Sequence, residues 1–149
     1  MLGKTGLLEM ESFKLLIIFD MLEIKNALQI LDNLEVDHVM NKQVAFLTGN
    51  EDAALFIIQL HYDQTLPAHY HKEDIEIYYI LSGQGIITTK FYSEVKHVDK
   101  RSQHVAKGDS FTVHPFQIHQ ISNQHDEVLQ ILAIAPRSHN GTDRHFVEL

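Results

Sequence analysis

Two histidines two residues apart, in the stretch Pro67 to Gly85 (PAHYHKEDIEIYYILSGQG), set the strongest constraint on this chain. Strand side chains alternate between faces, so His69 and His71 on an extended backbone present both imidazoles to one side. Glu76 follows five residues after His71, an odd offset that an unbroken strand would turn to the opposite face. The charged run Lys72-Glu73-Asp74 reads as a turn or bulge that resets the register and lets Glu76 join the two histidines. The later stretch His114 to Asn123 (HPFQIHQISN) offers His119 from a second strand. Three neutral imidazoles and one carboxylate converging on a point make a transition-metal ligand set.

As a pattern, His69, His71, Glu76 and Gly83 meet HxH, four residues, Glu, six residues, Gly. Gly108, His119 and Asn123 meet Gly, ten residues, His, three residues, Asn. The two patterns resemble the first and second motifs of the cupin superfamily and together span Asp63 to Asn123. Three positions depart from the family pattern. Asp63 stands where the first motif usually begins with Gly. His114 stands where the second usually has Pro, with Pro115 directly after it, and Phe116 replaces a Gly. The ligand positions all match, so the departures bear on loop shape and substrate. The resemblance implies an all-β fold, the cupin-type double-stranded β-helix or jelly-roll barrel. It also implies a divalent metal on His69, His71, Glu76 and His119, and a pocket in the barrel mouth. It implies no single reaction, since such folds carry many chemistries.

A length of 149 residues suits one domain with a single core. Residues 1–20 read as an N-terminal extension, because Met10 and Met21 each offer an internal start. Residues 21–149 read as a single cupin domain, with the motifs at 63–85 and 108–123. A formal net charge of −8, with no more than two adjacent basic residues, argues against a nucleic-acid partner. The chain has no cysteine, which excludes disulfides and thiolate metal sites. No apolar run approaches the ~20 residues needed to span a bilayer. Leu15 to Phe19 lacks the small-residue cleavage site of a signal peptide. The reading is a cytoplasmic protein with no membrane association.

Apolar residues at Ile24, Ala27, Leu28, Leu31 and Leu34 predict a short amphipathic helix that covers a sheet. Phe13 to Phe19 is a candidate edge strand. Further strands are predicted at Val44 to Thr48, Ala54 to Tyr62, Glu76 to Leu81, Ile86 to Tyr92, Ser110 to His114, Gln117 to Ser122 and Val128 to Ala135. Ser82 to Gly85 reads as a tight turn, Ser93 to Ala106 as a variable loop, Arg137 to Arg144 as a polar loop and His145 to Leu149 as a short tail, a final strand or a cover. If Glu76, Tyr78 and Ile80 face inward, then Ile77, Tyr79 and Leu81 face outward and need a cover. Val128 to Ala135 is likewise apolar on both faces apart from Gln130. A homodimer is the expected partner arrangement.

Three nitrogens and one oxygen suit Fe, Mn, Ni, Cu, Co or Zn, and leave two octahedral positions for a diolate, enediol or carboxylate. Around that set, three residues are weak catalytic candidates. Tyr78 shares the Glu76 face and either fills the barrel or donates to a ligand. Gln117 shares parity with His119 and either supports it or lies on the rim. His114, before Pro115, is an exposed strand-end residue or a general base at the mouth. Asn123 reads as a turn-fixing residue. His38, His61, His97, His104, His125, His139 and His145 are given no function, and Asp143 with Arg144 reads as a salt bridge in the tail. The functional readings are a metal-dependent dioxygenase acting on an enediol or catechol-like molecule, a sugar or sugar-acid isomerase or epimerase, and a small-molecule-binding module without turnover.

Overall fold

The computed structural model describes residues 22–34, 43–92 and 99–149. The N-terminal extension, with the edge strand suggested at Phe13 to Phe19, lies outside the described residues.

The helix α1 runs Ala27–Asp32, shorter than its apolar stripe suggested. Asn26 sets its start, because its side-chain oxygen accepts the amide hydrogens of Leu28 and Gln29, both at 3.1 Å. Ile24 falls before that cap and is exposed. Leu31 is the buried anchor of the helix, packed with Leu47 and Ile57.

Among the described residues ten strands follow: β1 Gln43–Gly49, β2 Ala54–Leu60, β3 Thr65–Tyr70, β4 Glu76–Ser82, β5 Gln84–Phe91, β6 Arg101–Ala106, β7 Ser110–Val113, β8 Gln117–Ser122, β9 Leu129–Ala135 and β10 His145–Phe146. They form two five-stranded sheets, in the orders β1-β2-β9-β4-β7 and β10-β3-β8-β5-β6. Every pairing is antiparallel. Apart from the hairpins β1-β2 and β5-β6, which stay within one sheet, the chain passes from sheet to sheet at each strand. The inner faces meet in a core that includes Phe56, Leu60, Ile80, Ile121, Leu129 and Ile131. Each such side chain, once fully buried, stabilises the fold by about 1.5–3 kcal/mol.

The period-two pattern of β4 holds. Glu76, Tyr78 and Ile80 are buried, while Tyr79 is 44 % exposed. Part of the outer face is covered by α1, whose cluster takes in Leu55, Leu81 and Leu132.

Three expectations are corrected. The stretch Ser93 to Ala106 is not all loop, because Arg101–Ala106 is strand β6, paired with β5 from Gln84↔Ala106 to Thr89↔Arg101. Only Val105 of that strand is buried, so no apolar alternation marks it. The turn expected over Ser82 to Gly85 narrows to Gly83 between β4 and β5, where the chain passes from one sheet to the other. The loop Arg137 to Arg144 contains a 3-10 turn, Arg137–Asn140.

The departures from the family pattern have a backbone meaning. Asp63 and Phe116 both adopt φ 61°, the left-handed region in which glycine is at ease. Asp tolerates that conformation well, whereas a bulky Phe does so at a cost.

Candidate metal centre

The centre bridges the two sheets. His69 lies in β3 and His119 in β8 as direct cross-strand partners, which puts both rings on one face. His71 follows the end of β3, and Glu76 opens β4 in the opposite sheet. Between them Asp74 takes φ 55°, and the reset of register brings Glu76 Oε2 to 3.2 Å from His71 Nε2. His119 Nε2 lies 3.3 Å from the same oxygen. The four candidate ligand atoms all lie within 4.8 Å of one another, and all four residues are buried.

The ring tautomers follow from the outer contacts. His69 Nδ1 faces the Pro67 carbonyl at 2.7 Å, His119 Nδ1 faces the Gln117 carbonyl at 3.1 Å, and His71 Nδ1 faces the Asp143 carbonyl. A carbonyl can only accept, so each Nδ1 carries the hydrogen and each Nε2 keeps its lone pair. Two of those lone pairs face a carboxylate oxygen, an arrangement of acceptor against acceptor. A proton or a cation must stand between them, and a divalent transition metal satisfies every donor at once. The residues therefore fit such an ion.

Burial pushes the His69 imidazole down to about 2 from 6.5, and His119 and Arg144 add to the fall. Burial opposes ionisation of Glu76, yet its contacts with His119 and His71 outweigh it and hold the carboxyl well below its usual range. Burial, then the Glu76 charge, pushes the Tyr78 hydroxyl well above its ordinary value. Below 6.5 the unfolded chain protonates His69 while the folded chain does not, so stability rises with pH through that window. Glu76 acts in the same direction below 4.5, since its folded value is also depressed. The urea midpoint of chelator-treated protein is expected to fall steadily as pH drops from 7 toward 4. A His69→Gln variant should flatten the upper part of that slope, and an unchanged slope would contradict the assignment.

The three weaker candidates separate. Tyr78 reaches the centre, with its hydroxyl 3.4 Å from His119 Nε2. Gln117 supports His119 through its backbone carbonyl, while its side chain accepts the His114 amide hydrogen at 3.1 Å. His114 is exposed, and the structure does not bring it to the centre. Asn123 is fully buried and ties strand ends together, donating to the Leu60 and Glu127 carbonyls at 3.0 and 2.8 Å.

The C-terminal stretch contributes more than its sequence suggested. The His139 ring stacks on His71 with centroids 3.8 Å apart and planes 3° from parallel, and its Nε2 lies 2.7 Å from the Glu73 carbonyl. Asp143 accepts the amide hydrogens of Lys72 and Glu73 at 2.9 and 3.0 Å. Those bonds hold its carboxyl low against the opposing effect of burial. Arg144 donates to Asn140 Oδ1 at 3.0 Å and to His69 Nε2 at 3.2 Å. The tail salt bridge expected between Asp143 and Arg144 is thus replaced by contacts that run to the metal loop. These partners stand some seventy residues from the histidines they touch, beyond the reach of local periodicity. The available signal was density, since HNGTDRH at 139–145 carries four ionisable side chains.

A cavity of about 270 Å³ opens between β5, β6, β7 and β8, lined by Thr89, Gln103, Val105, Phe111, Val113 and Gln117 among others. Thr89 is the cross-strand partner of His119, and Val113 that of Glu76. The lining thus includes cross-strand partners of two of the four ligand candidates, but none of the four themselves. Among the described residues no helix is long and apolar enough to cross a membrane.

A family model described as a cupin domain matches residues 56–135. An uncharacterized protein of Methanocaldococcus jannaschii is 35% identical over 77 residues, 50% of this chain and 54% of that protein. The chain thus spans about half the length of this curated relative. A solved double-stranded β-helix protein of Klebsiella pneumoniae is similar at TM-score 0.63 and 15% identity, over 87% of this chain and 100% of that one. A putative sugar phosphate isomerase of Acidithiobacillus ferrooxidans is similar at TM-score 0.58 and 22% identity, over 74% and 72% of the two chains. At such identities the likeness is one of fold.

Proposed function

The chain belongs to the cupin domain family, and from that premise we propose a metal-dependent dioxygenase that takes a small enediol or catechol-like molecule into the barrel. The observation that carries the metal reading is the set of three Nε2 lone pairs, each fixed by an Nδ1–carbonyl contact, two of them aimed at the Glu76 carboxylate. One divalent ion of Fe, Mn, Ni, Cu, Co or Zn, held there, would polarise a chelating oxygen ligand and, if redox-active, permit reaction with O₂.

The chain's own residues supply position and surroundings. The carbonyls of Pro67, Gln117 and Asp143 orient the rings, and the cavity beside Thr89 and Val113 gives a small molecule room. Titratable groups next to the centre are already engaged: His139 Nε2 with the Glu73 carbonyl, and Asp143 with two amides. That arrangement supports oxidative chemistry, which asks the protein for geometry more than for a free base. A second reading, isomerisation or epimerisation of a sugar or sugar-acid, is favoured by Tyr78. Its hydroxyl stays protonated and reaches the ring of His119, as a proton donor to an enediolate would.

Oxygen uptake by Fe(II)-loaded protein with a panel of catechols and enediols tests the first reading. Uptake that needs both metal and substrate and disappears in His119→Ala supports it. Turnover of a sugar-acid without oxygen favours the second, and tight binding with neither reaction leaves a binding module.

The homodimer belongs to the same proposal, as does a cytoplasmic location. On neighbouring strands β4 and β9, Tyr79 and Ile134 expose 44 % and 47 % of their surface. Their outward row borders the α1-covered cluster, and a second copy would extend that cover. Light scattering is expected to give twice the 17.2 kDa chain mass. A single-chain mass at micromolar concentration would retire the dimer.

A further inference from the structure

Building on the metal reading, we infer that Arg144 makes the site a receptor for small carboxylates, with its guanidinium gripping an anion that also binds the ion. The residue is only half engaged. Nη1 donates to Asn140 and Nη2 to His69 Nε2, while Nε is buried with no hydrogen-bond partner. No carboxylate pairs with it among the described residues. Its neighbour Asp143 is turned onto the amides of Lys72 and Glu73 and onto His145. A buried N–H with no acceptor on a half-buried cation is an unfinished arrangement, because the missing bond is a desolvation cost that a ligand can remove.

The contact with His69 makes the inference specific. Nη2 donates into the lone pair that a metal would take. An ion on His69 Nε2 and the Nη2 hydrogen bond cannot share that lone pair, so metal loading frees a second donor beside the orphaned Nε. The charge balance points the same way. A divalent ion neutralised by Glu76 alone keeps one positive charge, and Arg144 adds another. A planar carboxylate answers both, with one oxygen toward the ion and a fork of two N–H donors on the guanidinium. Arg144, Glu76 and His139 border a cavity of about 20 Å³, room for about one water. A carboxylate exceeds that space, so the guanidinium must move to admit it. Phe146, whose ring lies 5.7 Å from the Arg144 guanidinium carbon, offers a face along which it can slide.

The test uses cobalt(II)-loaded full-length protein, with malonate as the anionic probe and catechol as a neutral chelator. Metal stoichiometry is measured first, then each probe is titrated calorimetrically and through the cobalt visible bands. Wild type and Arg144→Gln should each hold one ion per chain, the variant at least as tightly because the competing donor is gone. Malonate should bind Arg144→Gln about tenfold or more weakly, the loss of one charge-assisted pair. Catechol should change by less than about threefold. Arg144→Lys keeps the charge without the fork and should fall between the two. Malonate binding equally tight to loaded Arg144→Gln and wild type overturns the carboxylate receptor while leaving the metal centre standing. A wild type that takes up no cobalt removes the centre and this inference together.

Discussion

Protein carrying both His69→Ala and His71→Ala is expected to purify with no bound metal where the parent holds one ion per chain. Even a residue that merely supports a ligand costs roughly 10–100-fold in metal affinity when lost, so removing two ligands should exceed that range. The prediction rests on the odd offset between His71 and Glu76. Because Asp74 turns the chain at φ 55°, the two imidazoles and the carboxylate form a unit that no single strand could present. Glu76→Gln, which keeps shape and removes charge, should weaken uptake without abolishing it. Elemental analysis reads all three proteins, and circular dichroism checks that the strands persist. Full metal content in the double variant would mean that the ion binds elsewhere.

Gly83→Ala should produce a large loss of stability for a single added methyl. Gly83 joins β4 of one sheet to β5 of the other with φ 74°. An added Cβ would overlap the Val128 carbonyl and lie 2.9 Å from Leu129 Cα. The left-handed backbone alone costs a residue with a side chain about 1–2 kcal/mol, and the displaced β9 entry adds to it. A total of at least about 2 kcal/mol corresponds to a melting temperature lower by about 4–8 °C in a domain of this size. A melting temperature within a degree or so of the parent would show that the crossing is looser than described. The same substitution at Gly108, also at positive φ but with open space around its Cβ position, should lose only the backbone part.

The metal ligand candidates were legible because two different periodicities intersect there. Alternation places His69 and His71 together, and the charged run before Glu76 announces a break in that alternation. Strands with an apolar inner face, such as β2, β4 and β9, were legible for the same reason. Strand β6 was not, because an edge strand with one buried side chain carries no binary pattern. Its existence depends on β5 offering a backbone to pair with. The contacts made by residues 139–144 were also hidden. Sequence places Asp143 next to Arg144, and adjacency suggests a pair. In the fold Asp143 serves the amides that follow His71, and Arg144 serves His69. Nothing local encodes contacts between residues that meet only after the barrel has closed. Phe116 shows the opposite case. The missing glycine was visible in the sequence, and the strained φ of 61° is where it was felt.

Diffraction from crystals of manganese- or cobalt-loaded protein, recorded across the metal absorption edge, tests the central claim most directly. The account predicts one anomalous peak per chain, within bonding distance of Nε2 of His69, His71 and His119 and of a Glu76 carboxylate oxygen. A peak bound elsewhere, or a loaded crystal in which any of the three rings points away from the ion, would contradict it.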